Sequence, residues 1–154
     1  MSENTQFDIV IYGASGFTGR LVVEYMDAIK GHGLRWAMAG RSHDKLASVR
    51  DDIGVDASTP LVVADAGDPD SVREMVRNAR CIISTVGPYQ LYGSDLVAAC
   101  AELGTDYVDL SGEPGWMYEM INRYHEQAVK SGARIVHSCG FDSIPFDLGV
   151  LFLQ

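Results

Sequence analysis

The sequence predicts an α/β fold: a doubly wound, mostly parallel six-stranded sheet with helices on both faces. Strand and helix patterns alternate six times along the 154 residues, and this alternation is typical of parallel βαβ units. The strand segments are near-continuous apolar runs, as expected for strands that are buried on both faces. A chain of this length is expected to form one domain, residues 1–154.

Six apolar runs are predicted as strands, and a helical pattern follows each of them. The runs are residues 7–12, 34–39, 60–64, 80–86, 106–110 and 134–138. Ser42 is expected to cap the second helix, and the Asp68-Pro69 pair is expected to open the third. Glycines are expected to end helices at Gly31, Gly104 and Gly132. Helices are also predicted from Gly93 to Leu103, from Pro114 onwards, and over residues 144–154.

Composition excludes several classes of partner. The net charge of −9 disfavours nucleic acid, which needs a basic surface, but a nucleotide cofactor uses only a few local donors. The polar first residues lack the apolar core of a signal peptide, and no apolar run approaches the roughly 18 residues of a membrane span. Three scattered cysteines without a CxxC pair indicate reduced thiols in a cytoplasmic protein. They are Cys81, Cys100 and Cys139.

Glycines recur in the stretch IYGASGFTGR, residues 11–20. In a doubly wound sheet the first strand-to-helix turn lies at the switch point, where a pyrophosphate can sit on the free N–H groups of the helix. The spacing is GxxGxxG, not the commoner GxGxxG, so a turn needed only for helix–sheet packing stays an alternative. The position of the stretch favours dinucleotide binding. The predicted cradle comprises Gly13, Ala14, Ser15, Gly16, Phe17, Thr18 and Gly19.

The end of the second strand predicts which dinucleotide binds. NAD sites usually place a carboxylate there for the ribose 2′-hydroxyl, but residues 39–42 read AGRS. Arg41 could grip a 2′-phosphate with charge-assisted bonds, and Ser42 could add a hydroxyl. NADP(H) is therefore favoured over NAD(H), with a solvated surface role for Arg41 as the alternative. His43 is not expected to be a ligand.

Two further loops follow strands on the same rim of the predicted sheet. Asp65 and Ala66 are placed to meet the adenine edge, although Asp65 could instead be a helix N-terminal acid. The loop after the fourth strand is expected to pass under the nicotinamide ribose. It comprises Thr85, Val86, Gly87, Pro88 and Tyr89. Tyr89 and Tyr92 either face the substrate or only pack over the cofactor.

Taken together, GASGFTG, AGR, STVGPY, YVDLSGE and SCGFDSIPFDLG, the last at residues 138–149, resemble the saccharopine dehydrogenase-like oxidoreductases. The resemblance covers essentially the whole chain and is greatest to the branch that includes bacterial trans-acting enoyl reductases. It implies an N-terminal Rossmann domain followed by a larger α+β substrate domain. It also implies hydride transfer from a nicotinamide cofactor to an imine or to a polyketide-derived double bond.

The same resemblance implies a substrate side of the site. Gly112 and Glu113 would belong to the rim loop of the fifth strand, and Cys139 and Gly140 to the loop that leads towards the substrate domain. Asp142 would either orient a substrate or cap the next helix. Because family members run to several hundred residues, the chain is expected to be a truncated domain, inactive alone. Small-molecule substrate would bind through the missing domain, and the apolar C-terminal end is expected to promote self-association.

No catalytic constellation is visible in the sequence. None of the seven tyrosines has a lysine four residues on, and neither a metal-binding motif nor a nucleophile elbow is present. His125 and His137 are expected to be surface or core residues. Two functions stay open: the cofactor domain of an NADP-dependent reductase, and a non-catalytic dinucleotide-binding sensor of the same fold.

Overall fold

The computed structural model describes residues 5–29 and 33–154. Its strands are β1 (Phe7–Tyr12), β2 (Trp36–Gly40), β3 (Leu61–Val63), β4 (Ala79–Ser84), β5 (Asp106–Asp109) and β6 (Ile135–Val136). They form one sheet in the order β3-β2-β1-β4-β5-β6, and every pairing is parallel. The predicted doubly wound α/β fold is confirmed, with the switch point beside β1.

The helices of the described residues are α1 (Phe17–Ala28), α2 (His43–Ile53), α3 (Pro69–Arg77), α4 (Tyr89–Tyr92), α5 (Ser94–Leu103), α6 (Pro114–Ser131) and α7 (Ile144–Leu153). The single-turn α4 differs from the prediction, which left its residues in a loop. Ser42 caps α2 by accepting from the N–H of Lys45, and Asp68 caps α3 as predicted. Gly104 and Gly132 end their helices with positive φ. The predicted stop at Gly31 lies outside the described residues.

Two apolar layers explain why helices cover both faces of the sheet. Alternate residues of β1 enter different layers: Val10 and Tyr12 join one cluster, and Ile11 joins the other. The first cluster receives residues of α3, α5 and α6, and the second receives residues of α1 and α2. The apolar run of residues 9–12 in β1 is therefore explained by burial on both sides of the sheet.

All the predicted strands except the first are longer than the structure has them. The fourth ends at Ser84, before the loop that borders the site, and the sixth keeps only Ile135 and Val136. Ser138 leaves the strand direction with a φ of 59°, which non-glycine residues adopt rarely.

The three cysteines are free. Burial raises the pKa of the Cys81 thiol to about 11 and also raises the pKa of Cys100 and Cys139. Across residues 5–29 and 33–154, none of the helices is long and apolar enough to cross a bilayer.

Candidate functional site

A cleft of about 360 Å³ opens at the carboxyl ends of the central strands, at the switch point of the sheet. It brings together most of the residues predicted to bind the cofactor, and adds three more. The predicted residues that line it are Gly13, Ser15, Gly16, Arg41, Asp65, Ala66, Thr85, Val86 and Gly87. Tyr12, Gly40 and Tyr92 complete the lining.

The glycine turn between β1 and α1 is tightly packed. Gly13 has a φ of 90°, and a Cβ there would lie 2.5 Å from Thr85 Oγ1. A Cβ on Gly19 would lie 2.0 Å from the Gly13 carbonyl oxygen. Gly16, whose N–H donates to that same oxygen at 2.9 Å, is exposed. Gly13 thus leaves room for the side chains of Thr85 and Val86, Gly19 for the backbone of the turn, and Gly16 leaves the turn accessible.

The start of α1 has neither a side-chain cap nor an acidic residue in its first turn, as far as the described part of the chain extends. Its N-cap residue is Gly16, which has no side chain to accept from the first turn, and that turn contains no acidic residue. The first N–H groups of a helix have no partner within the helix and carry a partial positive charge. An uncapped helix start beside a cleft is a favourable position for an anion such as a pyrophosphate.

Four residues of the predicted cradle do not line the cleft. Ala14 and Gly19 are buried, and the N–H of Ala14 donates to the Ala39 carbonyl at 3.1 Å. Phe17 is 84% exposed, and Thr18 is half-buried in the first turn of α1. These residues therefore shape the turn and leave the cleft wall to their neighbours.

Arg41 is the cation of the cleft. It is exposed, and it forms no ion pair with a carboxylate within the described ranges. Ser42 beside it does not line the cleft; its Oγ accepts from the N–H of Lys45 at 3.4 Å. Gly40 also lines the cleft, although it was not predicted to do so. A Cβ at this position would lie 3.4 Å from the Leu46 side chain. The sequence feature that could have indicated this role is its position in the AGR segment, directly before Arg41.

Asp65 and Tyr12 form a second part of the cleft wall. One carboxylate oxygen of Asp65 accepts from the N–H of Gly67 at 2.9 Å, whereas the cap of α3 is Asp68. The acid in the first turn of α3 is Asp70, so Asp65 precedes this helix and is not its N-terminal acid. Tyr12 is buried, and burial together with the Asp65 charge raises its pKa to about 12. Tyr12 was missed because it reads as an ordinary strand residue.

The loop after β4 forms the third wall. The N–H and Oγ1 of Thr85 both donate to the Tyr12 carbonyl, at 2.9 and 3.0 Å. The Gly87-Pro88 peptide bond is cis, and Pro88 stands at the start of α4, outside the cleft. This arrangement ties the loop directly to the end of β1.

The two tyrosines of this loop have different surroundings. Tyr92 lines the cleft and is 46% exposed. Tyr89 is buried, its hydroxyl donates to the Ser84 carbonyl at 3.0 Å, and its ring lies 5.4 Å from that of Trp116. Burial raises the pKa of Tyr89 to about 12. Tyr92 can therefore contact a ligand in the cleft, whereas Tyr89 anchors the loop from the buried side.

The residues predicted on the substrate side lie on the neighbouring rim. The Glu113 carboxylate accepts from the N–H groups of Tyr89 and Gln90, while Gly112 is exposed with open space around its Cα. The N–H of Cys139 donates to the Asp109 carbonyl at 2.7 Å.

The last two substrate-side candidates follow in the same loop. Gly140 lies against Leu110, because a Cβ there would stand 3.1 Å from the Leu110 Cβ. Asp142 is exposed, and the cap position of α7 is held by Ser143, not by Asp142.

Behind this rim lies a buried polar cluster that was not predicted from the sequence. Asp109 accepts from the Tyr107 hydroxyl at 2.9 Å, from Ser111 N at 3.0 Å and from Ser138 N at 2.8 Å. His137 Nδ1 lies 2.7 Å from the same carboxylate. Burial raises the pKa of Asp109, but the bonds from His137 and the two N–H groups outweigh it, so that the pKa lies below its ordinary value.

The His137 ring is enclosed by aromatic side chains. It lies edge-on to Trp116 with 5.2 Å between ring centroids, and its Nε2 is buried with no hydrogen-bond partner among the described residues. The signal that could have found the cluster is the alternation of Tyr107 and Asp109, which places both side chains on one face of β5.

The parallel sheet, the strand order and the glycine turn at its switch point define the chain as a Rossmann-like domain. Residues 9–136 match the family of saccharopine dehydrogenase NADP-binding domains. The chain belongs to this family.

Relatives at about 50% identity agree with that assignment, and solved structures share the fold. The chain is 52% identical over 150 residues to a trans-acting enoyl reductase of Mycobacterium ulcerans, covering 97% of this chain and 36% of that protein. It is 50% identical over 146 residues to one of Mycobacterium bovis, covering 94% and 35%. The fold is similar to saccharopine dehydrogenase (L-Glu forming) from Saccharomyces cerevisiae, with a TM-score of 0.71 at 18% identity over 88% of this chain and 28% of that one.

A second structural neighbour was solved with a cofactor. The Citrobacter sp. triphenylmethane reductase complexed with NADP(H) matches with a TM-score of 0.58 at 15% identity, over 85% of this chain and 48% of that one. The chain spans about a third of the length of the curated relatives it matches. Within residues 5–29 and 33–154 no group of three or more His, Cys, Asp or Glu side chains is arranged to hold a metal ion.

Proposed function

We propose that the chain binds NADP(H) in the cleft at the switch point. The observation that carries this proposal is the turn at Gly13 and Gly19, where added Cβ atoms would lie 2.5 and 2.0 Å from neighbouring atoms. This packing brings an uncapped start of α1 to the cleft, where N–H groups and the helix dipole favour a pyrophosphate. The residues present therefore fit a dinucleotide.

Arg41 makes NADP(H) the favoured dinucleotide. The guanidinium lines the cleft without a carboxylate partner among the described residues, and the end of β2 offers no carboxylate to a ribose 2′-hydroxyl. A 2′-phosphate would supply Arg41 with paired charge-assisted bonds. Asp65 and Ala66 would border the adenosine half, and Thr85, Val86 and Gly87 the nicotinamide half.

The whole protein is proposed to be an NADP-dependent oxidoreductase that reduces an imine or an enoyl-type double bond. The support is the family membership and the enoyl reductases at about 50% identity. When bound, the nicotinamide supplies the hydride, and the protein positions the substrate against it. Residues beyond this chain would bind the small-molecule substrate, so the chain alone is expected to be inactive. A cytoplasmic location fits its three free cysteines.

Titration of the 154-residue chain with NADPH, followed by the fluorescence of the reduced nicotinamide, tests the binding proposal. We expect saturable binding to the wild-type chain and tighter binding of NADPH than of NADH. Absence of binding by a chain whose circular dichroism shows the folded α/β structure would overturn the proposal. Turnover of NADPH by the longer protein with imine or enoyl acceptors tests the reaction, and binding without turnover would favour a sensor instead.

A further inference from the structure

The Glu113 carboxylate joins two loops that are distant in sequence. Its Oε1 accepts from the N–H of Tyr89 at 2.7 Å, and its Oε2 accepts from the N–H of Gln90 at 2.9 Å. Glu113 stands at the N-cap of α6 but makes no side-chain bond to that helix. Both oxygens are therefore directed to the segment that follows the third wall of the cleft.

The loop that carries Glu113 is itself fixed to the sheet. The N–H of Glu113 donates to Ser111 Oγ at 3.2 Å, and the N–H of Ser111 donates to Asp109 Oδ1 at 3.0 Å. The Ser111 carbonyl accepts from Ser138 Oγ at 2.6 Å. Because Asp109 is buried at the end of β5, the carboxylate of Glu113 is held on a rigid support.

The segment that Glu113 holds borders the proposed nicotinamide half of the cleft. Thr85, Val86 and Gly87 line the cleft and are anchored at one end by the bonds from Thr85 to the Tyr12 carbonyl. The other anchor is Tyr89, whose N–H is bound by Glu113 and whose ring is buried. Because only three residues separate Thr85 from Tyr89, these two anchors determine the path of the segment between them.

We infer that Glu113 is a positioning residue for the cofactor cleft and not a group that touches substrate. Its carboxylate holds the N–H groups of Tyr89 and Gln90, and in this way sets the wall formed by residues 85–87. This inference rests on the proposed function, because the wall matters through the dinucleotide that lies along it. The adenosine side, at Arg41 and Asp65, has no bond to Glu113 and should not depend on it.

A comparison of two ligands distinguishes a positioning role of Glu113 from a general loss of structure in the variant. NADPH spans the cleft, whereas adenosine 2′,5′-bisphosphate carries the adenosine and 2′-phosphate without the nicotinamide half. We expect Glu113→Ala to lower the affinity for NADPH by about tenfold, because the ordered conformation of residues 85–87 becomes one of several populated states. The affinity for the bisphosphate should stay within about twofold, since its groups lie away from the loop. Glu113→Gln keeps one acceptor oxygen and should recover part of the NADPH affinity.

The control is Glu126→Ala, which removes the same charge from an exposed position on α6 and should change neither affinity. Equal losses for both ligands, or unchanged NADPH affinity, would overturn the inference. If Glu113→Ala does not fold, the same comparison is made with Glu113→Gln. Failure of the folded wild-type chain to bind either ligand would overturn the proposed function, and this inference with it.

Discussion

The imidazole of His137 and the carboxylate of Asp109 form a buried pair, with 2.7 Å between Nδ1 and Oδ2. The two side chains are 9% and 0% exposed. The pair joins the end of β5 to the residue that follows β6, and Ser138 N adds a second bond between the same two segments. A buried carboxylate is tolerated when its acceptor sites are filled, and here four donors fill them.

Asp109→Asn should therefore destabilise the domain strongly. The amide would place an N–H₂ group where Oδ2 meets both Tyr107 and His137, and each buried polar group left without a matching partner costs about 1–3 kcal/mol. Tyr107→Phe removes one hydrogen bond and keeps the pair, so it should cost only about 1 kcal/mol. Urea unfolding followed by circular dichroism measures both. Equal free energies of unfolding for the two variants would show that the pair is not the stabilising element.

Asp8 predicts how the free energy of unfolding depends on pH. Hydrogen bonds from Arg35, helped by one from Arg80, lower its pKa from 3.8 to about 2. A carboxyl whose pKa is lower in the folded state stabilises the fold above its unfolded pKa, and this is lost as the pH falls through the folded value. Asp8→Asn should be less stable than wild type at pH 7, and the difference should shrink between about pH 4 and pH 2.

Urea midpoints measured from pH 7 to pH 2 check this prediction. The matched control is Asp95→Asn, which removes an exposed carboxylate for which no bond to a cation is found among the described side chains. Its difference from wild type should stay nearly constant over the same pH range. A constant difference for Asp8→Asn would contradict the role assigned to the Arg35 contact.

The fold could be predicted because its determinants are local. Most strands are short, mainly apolar runs, and residues such as Ser42, Asp68 and Gly104 mark helix ends within a few positions. The parallel arrangement then follows from the alternation of strands and helices. Gly13 and Arg41 could be placed at one rim for the same reason, since the carboxyl ends of parallel strands share an edge.

The interactions behind the rim could not be predicted because they join distant parts of the chain. Glu113 binds a segment 23 and 24 residues away, and His137 meets a carboxylate 28 residues away. Neither residue lies in a motif that specifies its partner, and each contact depends on how helices and loops pack. Tyr89 was ambiguous in the sequence for this reason, because its burial depends on Trp116.

Gly19→Ala should destabilise the glycine turn. An added Cβ would lie 2.0 Å from the Gly13 carbonyl oxygen, and backbone on both sides must shift to accept it. The expected cost is about 3 kcal/mol. Gly115→Ala is the matched control, because a Cβ at Gly115 meets nothing within 4 Å and alanine favours a helix by up to about 1 kcal/mol. Urea unfolding of both variants tests this, and equal stabilities would contradict the steric argument.

The exposed apolar residues of α7 lead us to expect self-association of the chain. None of its residues is buried, although its sequence IPFDLGVLFL is mostly apolar. The exposed side chains include Phe146, Leu148, Val150, Leu151, Phe152 and Leu153. A continuous apolar surface of this kind favours association, so the mass measured by light scattering should rise with concentration.

Phe152→Glu should reduce that rise, because it places a charge on a side chain that is 88% exposed. The control is Tyr118→Glu, which charges a similarly exposed aromatic residue on α6 and should leave the association unchanged. A monomer at all concentrations would contradict the role of α7.

Arg41→Ala gives the most direct test of cofactor choice. The guanidinium lines the cleft without an ion-pair partner in the described part of the chain, so its removal should cost the charge-assisted bonds to a 2′-phosphate. We expect NADPH affinity to fall by about 10- to 100-fold. NADH lacks that phosphate, and its affinity should stay nearly unchanged. Arg123→Ala, on the exposed side of α6, is the matched control and should affect neither ligand. Because only the 2′-phosphate distinguishes the two dinucleotides, equal losses would show that Arg41 acts on the fold or on the pyrophosphate instead.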